Sequence, residues 1–106
     1  MRLVYTTPEA DAMIAAAVGW WRDNRPNAPE LLLDELWYAK EQLSEFPEAG
    51  VAVRRRGFNG LRRLVLRRTR HHLYYRYYPE HEEIWVVALW AAMRRRPPKL
   101  KRGSRA

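Results

Sequence analysis

The amino-acid sequence predicts an α+β fold: an N-terminal strand, a helical hairpin, then a four-strand antiparallel meander with one face under the helices. Three observations carry that expectation. Leu61 to Arg68, His71 to Tyr78 and Ile84 to Trp90 are short runs of β-branched, aromatic and aliphatic residues separated by polar, turn-like ones. Upstream, residues 8–46 carry two apolar stripes at three- and four-residue spacing. Charge divides along the same line. Residues 1–50 hold four Lys and Arg against nine carboxylates, a net of −5, whereas residues 51–106 hold sixteen against three, a net of +13. An acidic helical layer backing a cationic sheet fits that split, and a cationic surface attracts nucleic acid or an acidic protein through a salt-sensitive field.

Residues 2–6 (Arg-Leu-Val-Tyr-Thr) form the first expected strand. Thr7 then offers an N-cap, with Pro8 at the first helical position and Glu9 where it complements the helix dipole. Ala10, Met13, Ile14, Ala17, Val18 and Trp21 make the stripe of a helix ending near Asn24. Asn27 with Glu30 three residues on is a second capping signature. Leu32, Leu36, Ala39, Leu43 and Phe46 mark the second helix, stopped by Pro47, while Asp34, Glu35, Glu41 and Glu45 lie on outer, solvated faces. The short connection at Arg25-Pro26-Asn27 makes the two helices an antiparallel hairpin. Val51 to Arg55 is the next strand, and Gly57 and Gly60 flank the loop after it. Arg68 to Arg70 and Pro79 to Glu83 are the hairpin turns of the meander.

At 106 residues the chain is expected to be one domain, residues 1–96, followed by a mobile basic tail, residues 97–106. Cysteine is absent, which removes disulfides and thiolate metal sites. Polar residues interrupt the N-terminus before any leader-like apolar run. The longest apolar run, Ile84 to Met93, is well short of the ~20 residues of a membrane helix. A cytoplasmic protein with no membrane association is the expectation.

Residues that can carry chemistry lie in the basic half. Arg62, Leu64, Leu66 and Arg68 share one strand face; Leu61, Arg63, Val65 and Arg67 share the other. These arginines read either as solubilising rim residues or as one open cationic face with Arg76, Arg94, Arg95 and Arg96. His71 and His72 point to opposite faces, as do Trp85 and Trp90 by simple alternation, which leaves one tryptophan for the core and one for a partner groove. Tyr75 and Tyr77 read as packing residues. Tyr74 and Tyr78 stay open between packing and base stacking. A phosphate-cradling Gly loop, a Ser-His-Asp set and a carboxylate pair on the sheet are not found, and no cofactor is implied; no metal site is expected either, because His81 sits in a turn and ligand spacing is missing.

Taken together, these residues resemble the RelE/ParE superfamily of toxins from type II toxin–antitoxin systems, over roughly residues 1–98. The resemblance rests on Thr6-Thr7-Pro8-Glu9-Ala10-Asp11, Pro47-Glu48-Ala49-Gly50, Leu61-Arg62-Arg63-Leu64 and His72-Leu73-Tyr74-Tyr75-Arg76. It also rests on Ile84 to Trp90 followed by Arg94-Arg95 and a proline. It implies the α+β fold, a growth-stopping action of the kind used in plasmid stabilisation, and a small antitoxin with an acidic or amphipathic tail. The assemblies compatible with it are a homodimer or a heterotetramer with the antitoxin. Ala91 and Ala92 follow Trp90 where many members have histidine, and His72 stands where mRNA-cleaving members often have arginine. The similarity therefore leans to the ParE branch, whose target is DNA gyrase.

Three functions stay in play. The first is a toxin that binds gyrase, with Arg62, Arg63, Arg76, Trp90 and Arg94 to Arg96 at the partner surface. The second is a ribosome-dependent endoribonuclease with His72, Arg63 and Arg94 as acid/base groups or charge stabilisers. The third is a basic nucleic-acid-binding module without toxicity. In the first, an antitoxin tail is expected to cover Arg62, Arg76 and Arg94.

Overall fold

In a computed structural model the chain is described over residues 2–92 and at Leu100. Its elements are β1 (Leu3–Thr6), α1 (Pro8–Asn24), α2 (Leu31–Glu45), β2 (Val51–Ala52), β3 (Leu61–Leu66), β4 (His71–Tyr78), a short 3-10 turn (Pro79–His81) and β5 (Glu83–Ala91). The sheet order is β1-β5-β4-β3-β2. β2 to β5 form the expected antiparallel meander. β1 returns beside the last strand and runs parallel to it, Leu3 opposite Glu83 through Thr6 opposite Val86. The helical crossover makes that parallel pairing feasible, since a parallel neighbour needs a long connection. Among the described residues no helix is long and apolar enough to cross a membrane.

α1 begins where its sequence says. Thr7, extended at φ −72° and ψ 158°, accepts from the Ala10 amide at 3.1 Å, and Pro8 fills the first helical position. Ala10, Val18 and Trp21 are buried, with Met13, Ile14 and Ala17 packed against the same core. α2 starts differently from the expectation: Glu30 is its N-cap and makes no side-chain cap bond. The Glu30 carboxylate instead takes a bidentate pair from Arg22, Nε at 2.9 Å and Nη2 at 2.8 Å. A charge-assisted fork of this kind is stronger than a neutral cap, and it ties the start of α2 to the end of α1. Trp21 Nε1 adds a bond to Ala28 O at 2.8 Å across the same connection.

Phe46, the last member of the expected α2 stripe, is 62 % exposed. The helix ends at Glu45 and Phe46 leaves it at φ −127° and ψ 77°, so helical spacing no longer aims its side chain inward. Glu35 is also not a free outer charge. Its carboxylate accepts from Arg68 N (2.8 Å), Thr69 N (3.0 Å) and Thr69 Oγ1 (2.6 Å), fastening α2 to the β3–β4 turn.

The main core lies between helices and sheet, with Leu32 and Leu43 against Leu64, Leu73, Tyr75, Ile84, Val86 and Leu89. Each fully buried leucine contributes about 1.5–3 kcal/mol. The other sheet face is not bare. Leu61, Tyr74, Val87 and Ala88 form a second cluster there, joined by Val53, Phe58, Trp90 and Leu100. Apart from Leu100, the expected basic tail (97–106) lies outside the described residues.

Candidate functional site

The face of the sheet away from the helices is where cationic and aromatic side chains meet. The two-residue period of a strand puts Arg63 of β3 and His72, Tyr74 and Arg76 of β4 on it. Arg63 stands opposite Tyr74, and Arg76 opposite Trp85. The ladder between β4 and β5 slips at Tyr74/Tyr75, where Tyr74 faces Ala88 and Tyr75 faces Val86, leaving Val87 as an extra residue. That bulge corrects the alternation argument for the tryptophans. One inserted residue between Trp85 and Trp90 returns both to the same face, opposite Arg76 and His72 respectively. Both are half-buried, so neither is a core residue.

At one end, Phe58 lies between two guanidinium groups, with Arg55 Cζ 5.4 Å and Arg76 Cζ 5.5 Å from its ring centroid. The loop that brings Phe58 there turns through Gly57 (φ 84°) and Gly60 (φ 71°), a region costly for other residues. Neither Phe58 nor Arg55 stood out in the sequence, because a loop has no periodicity to say which face it covers. Gly57 and Gly60 around an Arg-Arg-Arg-Gly-Phe run were the available signal.

At the centre, the His72 and Tyr74 rings meet edge to face at 6.3 Å. Burial, and then the nearby Arg63 charge, push the His72 imidazole below its ordinary pKa. A neutral ring at physiological pH is the consequence, able to accept a proton. Arg63 Nε is buried and has no hydrogen-bond partner among the described residues. A buried donor left open costs about 1–3 kcal/mol, which an incoming acceptor would recover. At the far end of the face, Tyr5 stacks on Trp85 at 4.8 Å, and Trp85 Nε1 donates to Glu83 at 3.2 Å.

Arg62 stands apart from this patch. It points to the helix side, where Nη1 donates to Gly50 O (2.7 Å) and Glu48 O (3.3 Å) and Nη2 pairs with Glu48 at 3.5 Å. It fastens the turn after α2 instead of lining the open face. His71 also lies on the helix side, with Nδ1 3.1 Å from both Thr69 O and Thr69 Oγ1 and its ring edge-on to Trp21. Tyr74 and Tyr75 are buried on opposite faces, while Tyr77 and Tyr78 are half-buried. Arg94, Arg95 and Arg96 lie outside the described residues. Among the described residues no three His, Asp or Glu side chains gather as a metal-holding group.

Residues 4–96 match the family model described as the ParE toxin of the type II toxin–antitoxin system parDE. No curated protein matches the chain. Solved structures with the same fold include a chromosomal ParDE system from Pseudomonas aeruginosa ("P. aeruginosa"), at 17 % identity and TM-score 0.67 over 86 % of this chain and 96 % of that one. The RelBE2 toxin–antitoxin complex of Mycobacterium tuberculosis aligns at 22 % identity and TM-score 0.60, covering 86 % and 92 %. The intact E. coli RelBE complex aligns at 21 % identity and TM-score 0.52, covering 89 % and 100 %.

Proposed function

Because the chain belongs to the ParE toxin family of type II toxin–antitoxin systems, we propose that it arrests growth in the cytoplasm by gripping DNA gyrase through the open sheet face, and that a small antitoxin neutralises it. The buried Nε of Arg63, without a hydrogen-bond partner among the described residues and at the centre of an arginine-and-aromatic patch, is the observation that supports a binding surface there. Half-buried Arg76 on Phe58 and half-buried Trp90 supply the rest of the grip: arginine and aromatic anchors of the kind that dominate protein interfaces. Arg94, Arg95 and Arg96, outside the described residues, count among the partner-binding residues in this reading, and residues 1–96 act as the functional unit. Arg62 contributes by holding the turn behind the patch.

A supercoiling assay with purified protein and gyrase tests this. The wild-type chain is expected to block supercoiling, and Arg63→Glu with Arg76→Glu to lose the block while keeping the native circular dichroism spectrum. Unimpaired supercoiling at stoichiometric excess of the wild-type chain would remove gyrase as the target.

The neutral His72 beside Arg63 favours one second reading, an mRNA endoribonuclease. His72 would take the 2′-hydroxyl proton while Arg63 and Arg94 stabilise charge on the phosphate. Translation extracts in which mRNA stays intact with added protein exclude it.

A further inference from the structure

On the helix side of the sheet, opposite the arginine-and-aromatic patch, a cleft opens where β1, β4 and β5 pass under both helices. Its volume is about 440 Å³, within the range of clefts that take small organic molecules. Leu43, Leu73 and Val86 line its inner end, and all three are buried members of the main core. Ile14 of α1 and Leu36 of α2 add aliphatic walls. The interior therefore rewards a ligand that buries hydrocarbon.

Of the described residues that line this cleft, Lys40 alone is charged. Residues 1–50 hold three other cations, and each is engaged elsewhere. Arg2 reaches Tyr77 and Glu82, Arg22 is paired with Glu30, and Arg25 lies over Trp20 and Trp21. Lys40 is in no ion pair with a described residue; its Nζ lies 5.2 Å from the centroid of the exposed Trp37 ring. Helical spacing accounts for this. Leu36, Trp37, Leu43 and Ser44 are its neighbours three and four residues away along α2, and none is a carboxylate. The hydroxyl of Thr6, also on the cleft, donates to Asp11. The cleft thus joins an aliphatic interior to one lysine ammonium.

We infer that this cleft binds a small amphipathic anion, a medium-chain alkyl carboxylate, with its chain against Leu36, Leu73 and Val86 and its carboxylate on Lys40. Such a site owes nothing to the toxin reading and lies on the face opposite the proposed grip. Aliphatic walls favour an alkyl chain over a sugar or a nucleoside, whose hydroxyls and ring nitrogens would be buried without partners. A lone ammonium beside an apolar interior selects one negative charge and rejects a cation of the same length. The chain's own residues 93–106 carry seven Lys and Arg and no acidic side chain, so like charge with Lys40 disfavours them as the occupant. Leu100 packs on the other sheet face, with the cluster of Leu61 and Val87.

Titration of the isotope-labelled full chain with octanoate, below its micellar concentration, tests the site by NMR, with octyltrimethylammonium as the cationic control. Octanoate should saturate and move the amides of Leu36, Leu43, Leu73 and Val86 and the indole N–H of Trp37. It should also raise the thermal midpoint in step with its concentration. The exposed change Lys40→Gln should weaken binding at least about fivefold, and the plug Leu36→Trp should weaken it as much. If the plugged chain does not fold, Lys40→Gln carries the test. Absence of saturation, or equal shifts from the cation, would overturn the inference. So would unchanged affinity in Lys40→Gln, which would make that side chain a solvated cover for Leu36 and Trp37. Shifts confined to Phe58, Trp85 and Trp90 would mark octanoate as a counter-ion of the arginine face and overturn it too. Concentration-dependent shifts of the cleft amides without octanoate would give the cleft to a second copy of the chain instead.

Discussion

Tyr75 shows how much one side chain organises. It is fully buried, its hydroxyl donates to Pro47 O at 2.8 Å, and it accepts from the Gly50 amide at 2.8 Å. Burial raises its pKa, partly offset by that amide, so the phenol stays protonated and donating. A Tyr75→Phe protein should lose about 1–3 kcal/mol in urea unfolding, since the Gly50 amide is left buried without an acceptor. Gly50→Ala should cost a similar ~1–3 kcal/mol by overpacking, because a Cβ there would sit 2.8 Å from Arg63 O and from the Tyr75 ring. His72 makes a pH prediction. Its folded pKa lies below the unfolded value of ~6.5, so the unfolded chain binds more protons and stability falls as pH drops through that value toward the folded one. Above it this loss is absent. Urea midpoints measured from pH 8 to 5 should decline more steeply for the wild type than for His72→Asn. The packing role of Tyr75 was legible from strand alternation. Its hydrogen bonds were not, because they join positions 25 and 28 residues away.

Elements are held to one another by single polar clamps, and these give sharper predictions than propensity does. Thr7→Ala removes the α1 cap and should cost about 1 kcal/mol, measured by thermal or urea unfolding. Glu35→Ala removes the acceptor of Arg68 N, Thr69 N and Thr69 Oγ1; amide exchange at 68 and 69 should speed up and stability drop by about 1–3 kcal/mol. Equal exchange in both proteins would mean the clamp does not hold the turn. The start of α1 was readable because Thr-Pro-Glu acts through neighbours in sequence. The start of α2 was misread because Arg22, eight residues before Glu30, competes for its carboxylate. The bulge at Val87 had no local signature at all, yet it decides where Trp90 points.

For the molecule as a whole, the dominant physical fact is the segregation of charge, −5 in the first fifty residues and +13 in the rest. Binding through the open face should therefore be strongly salt-dependent. Raising ionic strength from about 0.05 to about 0.5 M shortens the screening length severalfold, and on the proposed function the association rate with gyrase should fall more than the dissociation rate changes. Stopped-flow association that is flat in salt would mean the arginines do not steer encounter. By itself the sequence determined the element order, the α+β class, the α1 cap and the cationic second half, all of which follow from short-range periodicity, local capping and summed charge. Only the tertiary structure decided that β1 lies parallel beside β5, that the helices cover Arg62's face and leave Arg63's uncovered by them, and that the two tryptophans share one side. Each of those outcomes depends on which distant backbone groups pair, and pairing partners are chosen by the packing of the whole chain.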